Sequence, residues 1–259
     1  MKKILFLLII FTFTISCAMF RPSGRSSEEL KAEIQELLKE HPELVLDVMR
    51  QNKVTVYKIA QLGAKADHEN QRQVRWEAEL KNPYKPVIDP ARPALGYSKA
   101  PIVIVSYSDF LCDYCKVGAE TVEELLKKYP KKLRLVFKHH TYSEFSKRIS
   151  LYFEAIGRQS AIQAWKFHDI VFENQELVDQ KKEKALKDIA RSLKINRSKL
   201  AEDLKSSKLS KLIENDIKEA DTFGFEGTPV FLVNGVSIHG AVPMEDFEKV
   251  IEMVEKKKP

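Results

Sequence analysis

The sequence predicts an α/β protein in which a helical block interrupts a small sheet domain, behind an N-terminal helical extension. Three observations carry this. Residues 100–140 read strand, helix, strand, the order of a right-handed βαβ unit. Residues 143–221 keep helical periodicity almost throughout. Strand signals then return in "TPVFLVNGVSIHG", a hairpin turning at Asn234-Gly235, and "VPMEDFEKVIEMVEKKK" closes the chain as an amphipathic helix with a basic end suited to its dipole.

The chain opens on "MKK" and the apolar run "ILFLLIIFTFTIS". Thirteen residues are few for a bilayer span but suit a secretory signal, so residues 1–16 are expected to be a signal peptide. A buried apolar helix fits the charged start and sharp polar end less well. Cys17 follows Ser16 directly and resembles the lipidated cysteine of a bacterial lipoprotein signal, although Thr14 stands where leucine is usual. The alternative is an ordinary signal peptide cut nearby. Either way the chain is expected outside the cytosol, periplasmic or in the cell envelope, where disulfides persist.

Residues 17–27 read as a polar tether. Ser26 and Glu29 form a capping-box pattern, and Leu30, Ile34, Leu37 and Leu38 follow at helical spacing. Pro42 opens a second helix at its first position, with Leu44, Val45, Val48 and Met49 on its apolar face. A long polar helix fills the rest, to about 81. Residues 28–81 cannot bury much alone, so they either lie on the domain or pair with copies of themselves; a homo-oligomer through this region is the favoured expectation. Residues 82–95 hold Pro83, Pro86, Pro90 and Pro93 and read as an extended linker.

In the sheet domain, "APIVIVSYSDF" is a strand apolar enough to be buried on both faces, and "CKVGAETVEELLKKY" is a helix ended by Pro130. "KLRLVFKHH" is the second strand. Phe145, Ile149, Phe153 and Ile156 make an apolar stripe in the helical block, and Trp165, Phe167, His168, Ile170, Val171 and Phe172 fill another helix. The formal net charge of +6 is spread over mixed-sign helices and falls by two if Lys2 and Lys3 leave with the signal peptide. No dense basic patch with interleaved aromatics is present, so no nucleic-acid partner is expected.

The chain has three cysteines, and two of them stand in "SDFLCDYCKVG". Cys112 and Cys115 could be half of a metal site, a structural staple or a working dithiol. A structural zinc ion needs four ligands, and the adjacent His139 and His140 are poorly spaced to complete the set. A bridge closing so short a loop constrains the unfolded chain little. The redox reading fits by position: the pair straddles the join between a buried strand and a helix. There the first cysteine meets free N–H groups and the helix dipole, which favour a thiolate. No metal and no cofactor is expected.

"APIVIVSYSDFLCDYCK", "FHDIVFENQ" and "GFEGTPVFLVNGVSIHGAVP" together resemble the DsbA-like family of exported thiol–disulfide oxidoreductases. The resemblance covers about Gly96 to Phe247 and implies a thioredoxin fold with an inserted helical domain. Residues 96–142 and 222–259 would form the two parts of the thioredoxin fold, and 143–221 the insertion. It implies Cys112 as the exposed nucleophile and Cys115 as the buried resolving thiol. Asp113 and Tyr114 would tune the pair. Thr228 and Pro229, the latter in a cis peptide, would shape a groove for substrate, with Tyr114 also touching it. Partners would be exported cysteine-containing proteins and a membrane redox partner; the direction, oxidase or isomerase, stays open.

The departures from the family are specific. Ser106 stands where relatives carry an acid that could relay protons, with Asp109 and Lys138 as candidate substitutes. Tyr114 replaces the histidine common before the second cysteine of strong oxidants, and acidic Asp113 opposes a thiolate. A weaker oxidant than the strong members is therefore expected. "HHTYSEF" replaces a Phe-Pro-Leu run and alters one wall near the site; His139 and His140 read as surface or packing residues. The competing class is a non-enzymatic envelope lipoprotein whose thioredoxin fold binds partners while the dithiol stays idle.

Overall fold

The computed structural model describes residues 26–257. The expected signal peptide and Cys17 lie outside the described residues. The chain divides into two compact units, up to Asp67 and from His68 onward.

In the first unit, α1 (Ser27–Glu40) begins with the expected capping box: Glu29 N–H donates to Ser26 Oγ at 3.2 Å, and Ser26 N–H donates to Glu29 Oε2 at 2.8 Å. Pro42 stands one position earlier than expected, at the N-cap of α2 (Glu43–Gln51), with φ −62° already helical. No residue of α1 or α2 is buried. The eight apolar residues on their periodic faces are 40–59% exposed.

The long helix α3 (Lys53–Lys81) crosses from one unit into the other. Its last part belongs to the sheet domain rather than to a free polar extension. Trp76 is buried there and donates its indole N–H to Ser237 O at 2.7 Å, while Glu79 accepts both N–H and O–H of Ser237. A large apolar ring inside a polar helix is what anchors it.

The sheet of the second unit has the order β1-β3-β2-β4-β5. Central β2 (Ile102–Ser108) runs parallel to β3 (Leu133–His139), with Ile104 opposite Leu135. The crossover between them is α4 (Asp113–Lys128). Strand β4 (Val230–Val233) lies antiparallel to β2, and β5 (Val236–His239) to β4. Asn234 and Gly235 take φ 47° and 91°, the left-handed pair that a two-residue hairpin turn requires. The closing helix α11 (Met244–Lys257) sets Phe247 against Phe231 of β4, ring centroids 5.1 Å apart.

Between β3 and β4 the chain leaves the sheet for six helices: α5 (Glu144–Gly157), α6 (Ala161–Glu173), α7 (Gln175–Lys181), α8 (Glu183–Ser192), α9 (Arg197–Asp203) and α10 (Ser207–Thr222). This is a thioredoxin fold with a helical insertion. The proline-rich stretch expected as a linker is not free. Ala94–Gly96 forms edge strand β1, antiparallel to β3, and Arg92 beside it is buried. Three residues without apolar alternation give no strand signal; β1 exists through its pairing with β3.

Candidate dithiol site

Strand β2 ends at Ser108, and a short turn carries the chain into α4. Cys112 is the N-cap of that helix, with extended φ −89° and ψ 121°. Its N–H is held by Asp109 O at 3.2 Å, and its own C=O accepts Cys115 N–H at 3.0 Å. Cys115, three residues on, faces inward and is 1% exposed, whereas Cys112 is half-buried. Both are free thiols here. Asp113 and Tyr114 between them are exposed.

The cis peptide Thr228-Pro229 precedes β4 and faces the pair. Cys112 Sγ lies 3.5 Å from Thr228 O. Gly118 lets α4 approach this loop closely, since a Cβ there would stand 2.8 Å from the Phe231 ring and 3.2 Å from Pro229 Cγ. The structure thus brings together Cys112, Cys115, Thr228 and Pro229.

The two thiols are electrostatically unlike. A hydrogen bond from the Cys115 thiol is the largest influence on Cys112. With help from Thr228 and from the N–H groups of Cys115 and Tyr114, it outweighs partial burial and lowers the Cys112 pKa to about 6. Burial, then the same hydrogen bond, pushes Cys115 well up, against Asp109 N–H, which donates to its sulfur at 3.4 Å. At neutral pH these influences favour a thiolate at the half-buried Cys112 and a thiol at the buried Cys115.

Alkylation of the reduced protein should therefore reach half its maximal rate near pH 6. Below that the rate should fall about tenfold per pH unit as the thiolate is protonated. A midpoint at pH 8 or above would mean that these donors do not act on Cys112. Because the folded pKa is depressed, this thiolate's contribution to stability is complete above the unfolded value and lost as pH falls through about 6.

Of the two candidate substitutes for the missing acid, neither carboxylate nor ammonium is spare. Asp109 is buried and caps its own turn, accepting Leu111 N–H at 2.8 Å, Ser146 O–H at 2.7 Å and Tyr142 N–H at 3.1 Å. Lys138 is buried and bonds to Val87 O at 2.9 Å, to Asp216 and to Glu219. His139 and His140 are buried packing residues; His139 Nε2 lies 2.9 Å from Glu154.

Gln175 closes the stretch "FHDIVFENQ", but no role at the dithiol was expected of it. It opens α7, and its amide N–H₂ donates to Phe110 O and Cys112 O, both at 3.0 Å. It thereby ties the insertion to the active turn. Periodicity alone gives a glutamine after a helix end no such role.

On this thioredoxin fold the half-buried Cys112, the buried Cys115 behind it and the cis-proline loop across from them define a dithiol protein. A family model described as Thioredoxin matches residues 89–253, and the chain belongs to that family. Disulfide bond formation protein D of Bacillus subtilis is 26% identical over 172 residues, covering 64% of this chain and 76% of that protein. Na(+)/H(+) antiporter NhaA 3 of Salinispora tropica is 31% identical over 165 residues, 61% of this chain and 24% of that protein. The chain thus spans only about a quarter of the length of such antiporter relatives. Among solved structures, Wolbachia pipientis alpha-DsbA1 superposes with a TM-score of 0.57 at 20% identity, covering 66% of this chain and 94% of that one.

Proposed function

We propose that this protein is a thiol–disulfide oxidoreductase of exported, cysteine-containing proteins, working through the Cys112–Cys115 couple. The observation that carries the reading is the asymmetry of the pair: an accessible thiolate with pKa about 6 in front of a buried thiol. Toward a client disulfide, the Cys112 thiolate attacks one sulfur and releases the other as a thiolate. Cys115, giving up its proton, then attacks Cys112 Sγ and releases the client's sulfur. The client gains two electrons and the couple becomes a disulfide; with an oxidised couple and a reduced client the same steps run backwards. The loop at Thr228-Pro229 would hold the client's backbone as an added strand.

The direction follows from how far the reduced form is stabilised. Thioredoxin's cysteine titrates near 7 and DsbA's near about 3.5. A Cys112 pKa of about 6 lies between them. Equilibration with glutathione buffers should accordingly give a potential between about −120 and −270 mV, nearer the reducing end. A couple that forms no disulfide at any glutathione ratio would overturn the reading altogether. The apolar start of the chain supports export, with residues 1–16 removed and Cys17 lipidated to hold the protein at a membrane. No helix of the described residues is long and apolar enough to cross one. A membrane redox partner would reset the couple.

The exposed apolar faces of α1 and α2 support self-association through residues 28–81. An assembly would present several dithiols to one client, which suits isomerisation. Light scattering on the protein lacking residues 1–17 should give a multiple of the chain mass; a strict monomer removes the isomerase argument.

A further inference from the structure

The groove between α4 and α6 takes no part in the chemistry above. It encloses about 260 Å³. Its floor is apolar, made by Leu95 of β1, Leu135 of β3, Ala119 of α4, and Trp165 and Phe172 of α6. Its rim is acidic: Glu120 and Glu123 from α4 and Asp169 and Glu173 from α6 outnumber the two basic residues, Lys116 and His168.

Its placement follows from helix geometry. Residues 116, 119, 120 and 123 stand four, seven, eight and eleven positions after Cys112, the spacing of one helix face. The groove therefore runs down α4 directly from the nucleophile. Helix α6 brings its C-terminal end to the same place, since Gln175, two residues beyond Glu173, bonds to the Cys112 carbonyl. The start of α4 and the end of α6, the two helices that border the groove, thus meet at the Cys112 turn.

The charge on the rim is only partly met within the chain. Glu123 is paired with Lys127 and Asp169 with the His168 ring, but Glu120 and Glu173 have no ion-pair partner among the described residues. Two such carboxylates over an apolar floor are complementary to a cationic segment that also carries an apolar side chain.

We propose that this groove is a client exosite for a segment with an apolar side chain followed by Lys or Arg. It rests on the reading of Cys112 as the nucleophile and names the clients that nucleophile prefers. At about 1.5 Å of rise per residue, Glu120 and Glu123 lie about 12–17 Å down the helix from Cys112. An extended segment advances about 3.3 Å per residue, so the basic residue stands about four or five positions from the client's reactive cysteine. Docking the segment holds the client disulfide beside the Cys112 thiolate, which attacks one sulfur and releases the other as a thiolate.

The test compares two peptides, identical except for Lys or Glu five residues from a cysteine held as a mixed disulfide with glutathione. The reduced protein should attack the Lys peptide about threefold to tenfold faster, the scale of one or two exposed ion pairs. That ratio should shrink toward one as salt rises to about 0.5 M, and also in E120Q/E173Q. Equal rates in the unaltered protein, or a Lys preference that survives in E120Q/E173Q, would overturn the exosite. Exchange with a small neutral disulfide separates the two readings. If it proceeds without any charge preference toward the peptides, only the exosite falls; if it fails too, the dithiol reading falls with it.

Discussion

Cys112→Ser is expected to abolish exchange with protein disulfides, and Cys115→Ser to stop it one step later. The loss in Cys112→Ser should be on the order of a thousandfold or more, because only a thiolate attacks and Cys115 cannot replace it. Cys115 is 1% exposed and burial holds it protonated at neutral pH. In Cys115→Ser the exposed sulfur still attacks, but nothing resolves the product, so client proteins should accumulate in covalent adducts visible without reductant. The same residue also tunes its neighbour. The Cys115 thiol is the foremost cause of the low Cys112 pKa, and a serine hydroxyl can donate in its place. Cys115→Ala cannot, and its alkylation midpoint should move upward from about 6. Adducts persisting in Cys112→Ser, or absent from Cys115→Ser, would leave the idle-dithiol reading as the better one.

Apart from the Thr228-Pro229 loop, which only the family resemblance set beside the dithiol, the parts that the sequence announces are those made by neighbours in the chain. Cys112 and Cys115 need only the end of a strand and the first turn of a helix. Asn234-Gly235 needs only the backbone of two residues, and Ser26 with Glu29 only one helical turn. The parts that escaped are made across distance. Strand β1 has three residues and is defined by β3, some forty residues later. Gln175 reaches back to carbonyls 63 and 65 residues away. Lys138 reads as a relay candidate because a lysine near a dithiol invites that role, yet its ammonium is taken up by Asp216 and Glu219 on α10. Trp76 hides in a polar helix because one ring is too little to give a periodicity.

Arg92→Ala should destabilise the fold as strongly as truncating a buried core aromatic, for reasons that also lie at long range. In sequence, Arg92 is one residue of a proline-rich connection. In the fold its side chain is 3% exposed and splits its fork between Glu154 Oε1 at 2.6 Å and Asp216 Oδ2 at 2.7 Å. Glu154 comes from α5 and Asp216 from α10, so one guanidinium ties the connection and β1 to both ends of the insertion. Burial works against the Glu154 charge, yet Arg92 and His139 hold its carboxyl below the usual range. Removing Arg92 leaves two buried carboxylates short of a cation, a loss of about 3–5 kcal/mol by analogy with other broken buried pairs. Arg92→Lys should recover only part of it, because a point charge cannot bridge both acids as the planar fork does. The pH dependence identifies the cause. In the unaltered protein the Glu154 contribution is present above the unfolded carboxylate pKa and is lost as pH falls through the lower folded one. In Arg92→Ala the same carboxyl is easier to protonate, so the gap between the two proteins in urea unfolding should narrow from pH 7 to pH 4. A gap that stays constant over that range would mean that lost packing, not stranded charge, is what Arg92 contributes.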